Sequence, residues 1–216
     1  EAKMVDREQL KQVDAEFEKR YPGKIILDGI TNLEIYEKTN PKILWILKEA
    51  NSPDSSEWDM RPYHNDGFKG KDGKPYKYWQ RSYGLILRVS YALIHTNESF
   101  QEYKLIPENI ETMKNIAFIN IKKIGGSASA SNENLKDFYQ RNKDLLFQQI
   151  VSIAPDIIIN CSQIGVCGDL KNSGQGSAIK NTICIPAYHP NCRNISHQKY
   201  FEDITTKLNK AKEKNG

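Results

Sequence analysis

The chain has 216 residues, a formal net charge of +4 and 27% charged residues. That length fits one domain of ordinary size. Its longest apolar cluster, Ile43 to Leu47, falls far short of the roughly 18 residues that cross a bilayer. With 10% aromatics and several dense Ile/Leu runs it can build a core, which excludes a collagen, a coiled coil and a disordered chain.

The basic excess, 31 Lys and Arg against 27 Asp and Glu, is too small to define a nucleic-acid partner, so the position of the charge matters more. The cysteines, Cys161, Cys167, Cys184 and Cys192, lie in the last third and form no Cys-x-x-Cys pair. In a domain this large they read as reduced thiols. The opening stretch 1–13 is charged and has no signal-peptide core. A cytoplasmic protein is expected.

In chain order, Leu10, Val13 and Phe17 recur at helical spacing, which predicts a helix over about 5–20. Tyr21-Pro22-Gly23 ends it. Lys24 to Lys38 is mixed and fits a short hairpin around Asp28-Gly29. Apolar runs follow at 43–47, 116–119, 157–159 and 183–185, each continuous rather than alternating, as in strands buried on both faces of a parallel sheet. Helical patterns occupy 81–95 and 132–154, a short one follows Gln163, and a last one covers about 196–212. The expected fold is a single α/β domain over 1–216, with its core at about 42–212. It is a three-layer α/β/α sandwich around a central, mainly parallel four-stranded sheet.

Such sheets bind ligands beyond the carboxyl ends of their strands, so the residues after each run are the informative ones. They are Lys48-Glu49-Ala50-Asn51, Asn120 to Ser127, Asn160 to Gln163, and Tyr188-His189-Pro190-Asn191. A carboxylate, amides, small-residue loops and an imidazole converge, a set suited to bond cleavage with an anionic leaving group.

In these segments the chain resembles the uracil-DNA glycosylase superfamily, over roughly 42–208. The first run with Glu49 is similar to the motif that positions the catalytic water. Ala117 to Lys123 is similar to the strand whose Asn, here Asn120, reads the uracil edge. Asn142 through Ile159 matches the next helix and strand, and His189-Pro190-Asn191 looks like the His-Pro-Ser motif. Lys48, Asn51 and Ser52 stand where the first motif has its glycines and proline. A Pro62-Tyr63-His64 echo of another branch follows no strand and is read as chance; His64, His95 and His197 are taken as surface or packing residues.

The resemblance implies Glu49 and His189 as catalytic residues, with Asn120, Asn51 and a stacking aromatic, Trp79 or Tyr83, holding the base. DNA contacts would come from Gly125, Gly126, Ser127 and Asn191, with Ile195 wedged into the duplex. Lys71, Lys74 and Lys77 would track phosphates, interleaved with Tyr76, Tyr78 and Trp79. No metal or other cofactor is implied, the partner is DNA and not a membrane, and the chain would act as a monomer. The same residues read in isolation fit duller roles: a solvated Glu49, a turn-forming Asn120, a core His189, a flexible Gly-Ser loop and a solvated basic loop. Two other functions stay open. One is a non-catalytic nucleic-acid-binding module on this fold, the other a nucleoside or nucleotide hydrolase.

Overall fold

A computed structural model describes residues 3–51, 57–69, 82–95, 110–126 and 132–215. Helix α1 (Arg7–Arg20) begins where the Asp6 side chain accepts the Gln9 N–H at 2.9 Å, satisfying an N–H that has no partner within the helix. Val13 and Phe17, one turn apart, are its buried residues. Two short strands follow, β1 (Ile26–Leu27) and β2 (Gly29–Ile30), and then α2 (Leu33–Lys38).

These two strands do not make the expected hairpin. β1 pairs in parallel with β4 (Trp58–Asp59), whereas β2 pairs antiparallel with β5 (Ile116–Gly126). Gly29 sits at φ +134°, a conformation that suits glycine, where the chain passes from one sheet to the other. Asp28 is therefore not a turn residue. Its carboxylate is buried, accepting from the Lys123 ammonium and from the Asn120 backbone N–H.

The main sheet runs β2-β5-β3-β6-β7, where β3 is Ile43–Asn51, β6 is Ile157–Asn160 and β7 is Ile183–Pro186. The four apolar runs are its four parallel strands. The short antiparallel β2 makes a fifth, so the expected count of four was one too few. A strand of two residues leaves no hydrophobic pattern to recognise.

Alternate side chains of the parallel strands feed two apolar clusters. Ile43, Trp45, Phe118 and Ile159 meet residues of α4 (Ser82–Ile94) and α7 (His197–Asn215). Leu44, Ile46, Ile119 and Ile158 meet α1, α5 (Asn132–Ile153) and α6 (Val166–Lys171). Burying such a side chain contributes roughly 1.5–3 kcal/mol, so strands with two buried faces are selected to be apolar throughout. The one indole in these strands is paired: the Trp45 N–H donates to Ser90 Oγ at 2.9 Å, tying β3 to α4. Met60 of helix α3 (Met60–Asn65) is buried in the same cluster as Trp45 and Phe118.

Both long strands continue past their apolar runs, β3 to Asn51 and β5 to Gly126. Glu49, Asn51, Asn120, Gly125 and Gly126 are thus strand residues, not members of the loops expected there. Polar side chains are tolerated at these positions because a neighbouring strand supplies partners, as where Glu49 lies opposite Lys122. Among the described residues no helix is long and apolar enough to cross a membrane.

Candidate active site at the carboxyl edge of the sheet

The parallel strands occur in the spatial order β5-β3-β6-β7. The chain moves from β3 outward to β5, then returns past β3 to β6, so the direction of winding reverses between β3 and β6. A crevice opens at such a reversal, beyond the carboxyl ends of the two strands. Here it is bridged by Lys48 of β3, whose Nζ donates to the side-chain oxygen of Gln163 at 2.9 Å.

Gln163 is placed by a tight turn after β6. Asn160 Oδ1 accepts from the Ser162 backbone N–H at 3.1 Å and from its hydroxyl at 2.6 Å. Asn160 Nδ2 donates to the Ile164 carbonyl at 2.8 Å, and Ser162 Oγ accepts the Ile164 N–H at 3.1 Å. Inside this turn Gln163 is held at φ +65°, a left-handed conformation uncommon for a residue with a side chain.

His189 reaches the same edge from the segment after β7. That segment is braced at successive residues. The Ala187 N–H donates to the Asn160 carbonyl at 2.9 Å, the Tyr200 hydroxyl of α7 donates to the Tyr188 carbonyl at 2.7 Å, and the Cys192 N–H donates to the His189 carbonyl at 2.8 Å. The Asn191 backbone N–H donates to His189 Nδ1 at 3.2 Å. With Nδ1 acting as acceptor, the proton of the neutral ring resides on Nε2. Partial burial lowers the His189 pKa, and the Lys48 charge lowers it further. The ring is held neutral as an N–H donor.

The remaining expected residues fall into separate groups. The Glu49 side chain is 6% exposed and its Oε2 lies 2.7 Å from Lys122 Nζ, so its charge is neutralised across the β3–β5 ladder. Asn120 is buried inside β5. Its amide nitrogen donates to Asp28 Oδ2 at 3.3 Å, and its backbone N–H donates to the same oxygen at 2.7 Å. The Asn120 amide N–H is therefore engaged with Asp28 in the structure. Gly125 and Gly126 extend β5, with Gly126 opposite Asn51, so they do not form the loop at a helix start that their sequence suggested. Tyr83 sits in an aromatic cluster, its ring 4.9 Å from Phe68 and 5.0 Å from His64. Ile195 packs half-buried on the cluster beneath α7 rather than projecting outward. Asn191 is exposed, and its contribution is the backbone N–H to His189. Trp79, Lys71, Lys74, Lys77 and Ser127, and the side chain of Asn51, lie outside the described residues.

Sequence reasoning missed the Lys48–Gln163 bridge, because their contact depends on the neighbouring placement of β3 and β6. It also missed Tyr188, which is 54% exposed beside His189. An exposed large aromatic next to a candidate site was the available signal. An open pocket of about 560 Å³ flanks β7, lined by Asn160, Gln163, Gly165 and Tyr188 together with Cys184 and Lys207; Lys48, Glu49, Asn120 and His189 are not among its lining residues. Among the described residues no group of three His, Cys, Asp or Glu side chains is placed to hold a metal ion. The chain matches no family model, and no curated protein shows significant similarity to it.

Proposed function

We propose that this protein is a DNA glycosylase-like hydrolase on a three-layer α/β/α domain. It flips a uracil or related damaged base out of the stack and hydrolyses its N-glycosidic bond. The observation that carries the reading is the state of His189, on the segment that follows β7: a pKa lowered by burial and by Lys48, and a ring fixed through Nδ1 by the Asn191 N–H, which leaves the proton of the neutral imidazole on Nε2. A leaving base accumulates negative charge on a carbonyl oxygen, and a preorganised donor stabilises that charge without reorganising during the reaction.

In this reading Glu49 orients water or balances positive charge developing on the sugar. Lys48 adds to the burial that disfavours the His189 imidazolium and contributes positive potential for the anionic base. Tyr188 provides an exposed ring for stacking on a nucleobase, a contact worth roughly 1–3 kcal/mol. Extruding the nucleotide costs a few kcal/mol, least where the pair is mismatched or damaged.

A second reading, a module that binds nucleic acid without cleaving it, is favoured by one observation: the Glu49 carboxylate is already paired with Lys122. A duplex carrying a single uracil separates the two. Release of free uracil supports the hydrolase, whereas retention of intact duplex without release supports the binding module. Turnover of a free nucleoside with no DNA binding would replace both with a nucleoside hydrolase.

A further inference from the structure

His64 of α3 has no solvent exposure, yet neither of its ring nitrogens has a hydrogen-bond partner among the described residues. Its ring centroid lies 4.2 Å from Phe118, 4.8 Å from Phe68, 5.0 Å from Tyr83 and 5.7 Å from Tyr63. Buried polar groups are normally paired, because leaving their hydrogen bonds unmade costs free energy. A second departure from the norm lies beside it. Phe68 is fully buried at φ +59° and follows Gly67 at φ +71°. Glycine adopts that conformation freely, whereas a bulky side chain there is an outlier. The Gly67 N–H donates to the His64 carbonyl and the Phe68 N–H to the Tyr63 carbonyl, both at 3.1 Å. The turn so closed sets the Phe68 ring against His64 and against Tyr83, 4.9 Å from the latter.

We propose that His64, Tyr63, Tyr83 and Phe118 line a pocket for a pyrimidine base, and that the Phe68 ring plugs this pocket in the present structure. A phenyl ring and a pyrimidine are both flat six-membered rings, so exchanging one for the other preserves the aromatic contacts. The exchange also gives His64 a polar partner, which Phe68 has no atom to supply. Burial lowers the His64 pKa to about 3, so the neutral ring offers one N–H donor and one nitrogen acceptor. A uracil-like ring carries carbonyl oxygens and ring N–H groups that complement both. Release of Phe68 from its left-handed conformation offsets part of the cost of moving the plug.

The pocket adjoins residues already placed in the site. Phe118 and Asn120 are two apart on β5 and share one face of the strand, and Met60 and His64 are four apart on α3 and share one face of the helix. These faces meet twice, at the Phe118 and His64 rings and where Asn120 Nδ2 lies 3.7 Å from Met60 Sδ. Lys122, with its partner Glu49, comes next along the same face of β5. The choice of a pyrimidine rests on the base-excision reading, whereas the pocket rests on His64 and Phe68.

The test is calorimetric titration of the full chain with free uracil, which requires no excision. Phe68→Ala removes the plug and should bind uracil about tenfold more tightly than wild type, because the competent state no longer has to be opened. The gain should vanish in Phe68→Ala/His64→Phe. Benzene is the control, since deleting a buried ring leaves a cavity that takes apolar rings. Thermal unfolding is followed on each variant. If Phe68→Ala does not fold, the wild type decides through isotope-labelled histidine: the His64 ring nitrogens, assigned by their loss in His64→Phe, should shift in excess uracil and stay in place in benzene. A folded Phe68→Ala protein with wild-type affinity for uracil overturns the proposal. So does a gain that survives His64→Phe, a gain for benzene equal to that for uracil, or His64 nitrogens unmoved by uracil. His64-dependent uracil binding in a protein that excises nothing keeps the pocket and removes the hydrolase; excision without such binding keeps the hydrolase and removes the pocket.

Discussion

The Asn191 backbone N–H and the His189 imidazole form a contact of 3.2 Å that assigns the ring its tautomer. The donor is only two residues away in sequence, so the orientation of His189 is built into the local turn. Burial and Lys48 then determine the protonation state: both disfavour the imidazolium. In the proposed reaction, activity requires the neutral ring and is lost as the ring protonates. The acid limb of kcat/KM should therefore lie below the ordinary histidine value of 6.5. Lys48→Met removes the neighbouring charge and should move that limb to higher pH. A limb unmoved by this substitution would separate Lys48 from the behaviour of His189.

Tyr200 offers a second test of the same segment. Its side chain is buried between α7 and the sheet, and its hydroxyl donates to the Tyr188 carbonyl at 2.7 Å, holding the backbone that leads into His189. Tyr200→Phe removes this bond together with the hydroxyl's 3.4 Å contact to Cys161 Sγ, and should cost about 1–2 kcal/mol of stability. If this brace positions His189, single-turnover excision should also fall by roughly tenfold, the effect of about 1.4 kcal/mol on a barrier, while substrate affinity is retained. A mutant that loses the stability and keeps full excision would limit Tyr200 to folding.

On the β2–β5 side of the sheet, the Asp28 and Lys123 side chains are both 1% exposed. Burial lowers the Lys123 pKa, and Asp28 opposes that shift. Lys123→Met leaves the Asp28 carboxylate in the core without its cation, and should destabilise the fold by about 3–5 kcal/mol. The double variant Asp28→Asn/Lys123→Met should recover part of that loss. Denaturant titrations of the three variants, including Asp28→Asn alone, measure the coupling; a simple sum of the single effects would contradict it.

His64 supplies a prediction about pH. It is fully buried, ringed by Phe118, Phe68 and Tyr83, and neither ring nitrogen has a hydrogen-bond partner among the described residues. Burial lowers its pKa from 6.5 to about 3. Between these values the unfolded chain takes up a proton that the folded chain refuses, so stability falls as the pH drops through that window. The loss reaches on the order of 4–5 kcal/mol near pH 3. His64→Phe should remove this contribution and flatten the acid side of the stability curve relative to wild type. Equal acid sensitivity in the two proteins would show that other groups account for it.

The four parallel strands and the long helices were legible because strands buried on both faces leave continuous apolar runs, and helices leave apolar residues at three- and four-residue spacing. The short β2 escaped because two residues carry no period. The polar ends of β3 and β5 escaped because their continuation depends on cross-strand partners such as Glu49 and Lys122, whose proximity is set only when the sheet assembles. At the candidate site, His189 stood out by its place after the last strand. Asn120 stood out equally, yet the structure commits its amide nitrogen to Asp28, a partner 92 residues away. Lys48 and Gln163 were passed over because a contact separated by 115 residues leaves no local signal.

The most direct measurement is single-turnover release of uracil from a duplex by wild type and by His189→Ala, with duplex affinity and thermal unfolding measured on both. Removing one preorganised donor to a developing anion typically costs about 10²–10³ in rate. The account predicts a loss of that size in His189→Ala, with affinity and unfolding temperature near those of wild type. A folded His189→Ala protein that excises at the wild-type rate, or a wild type that binds the duplex and releases no base, would contradict it.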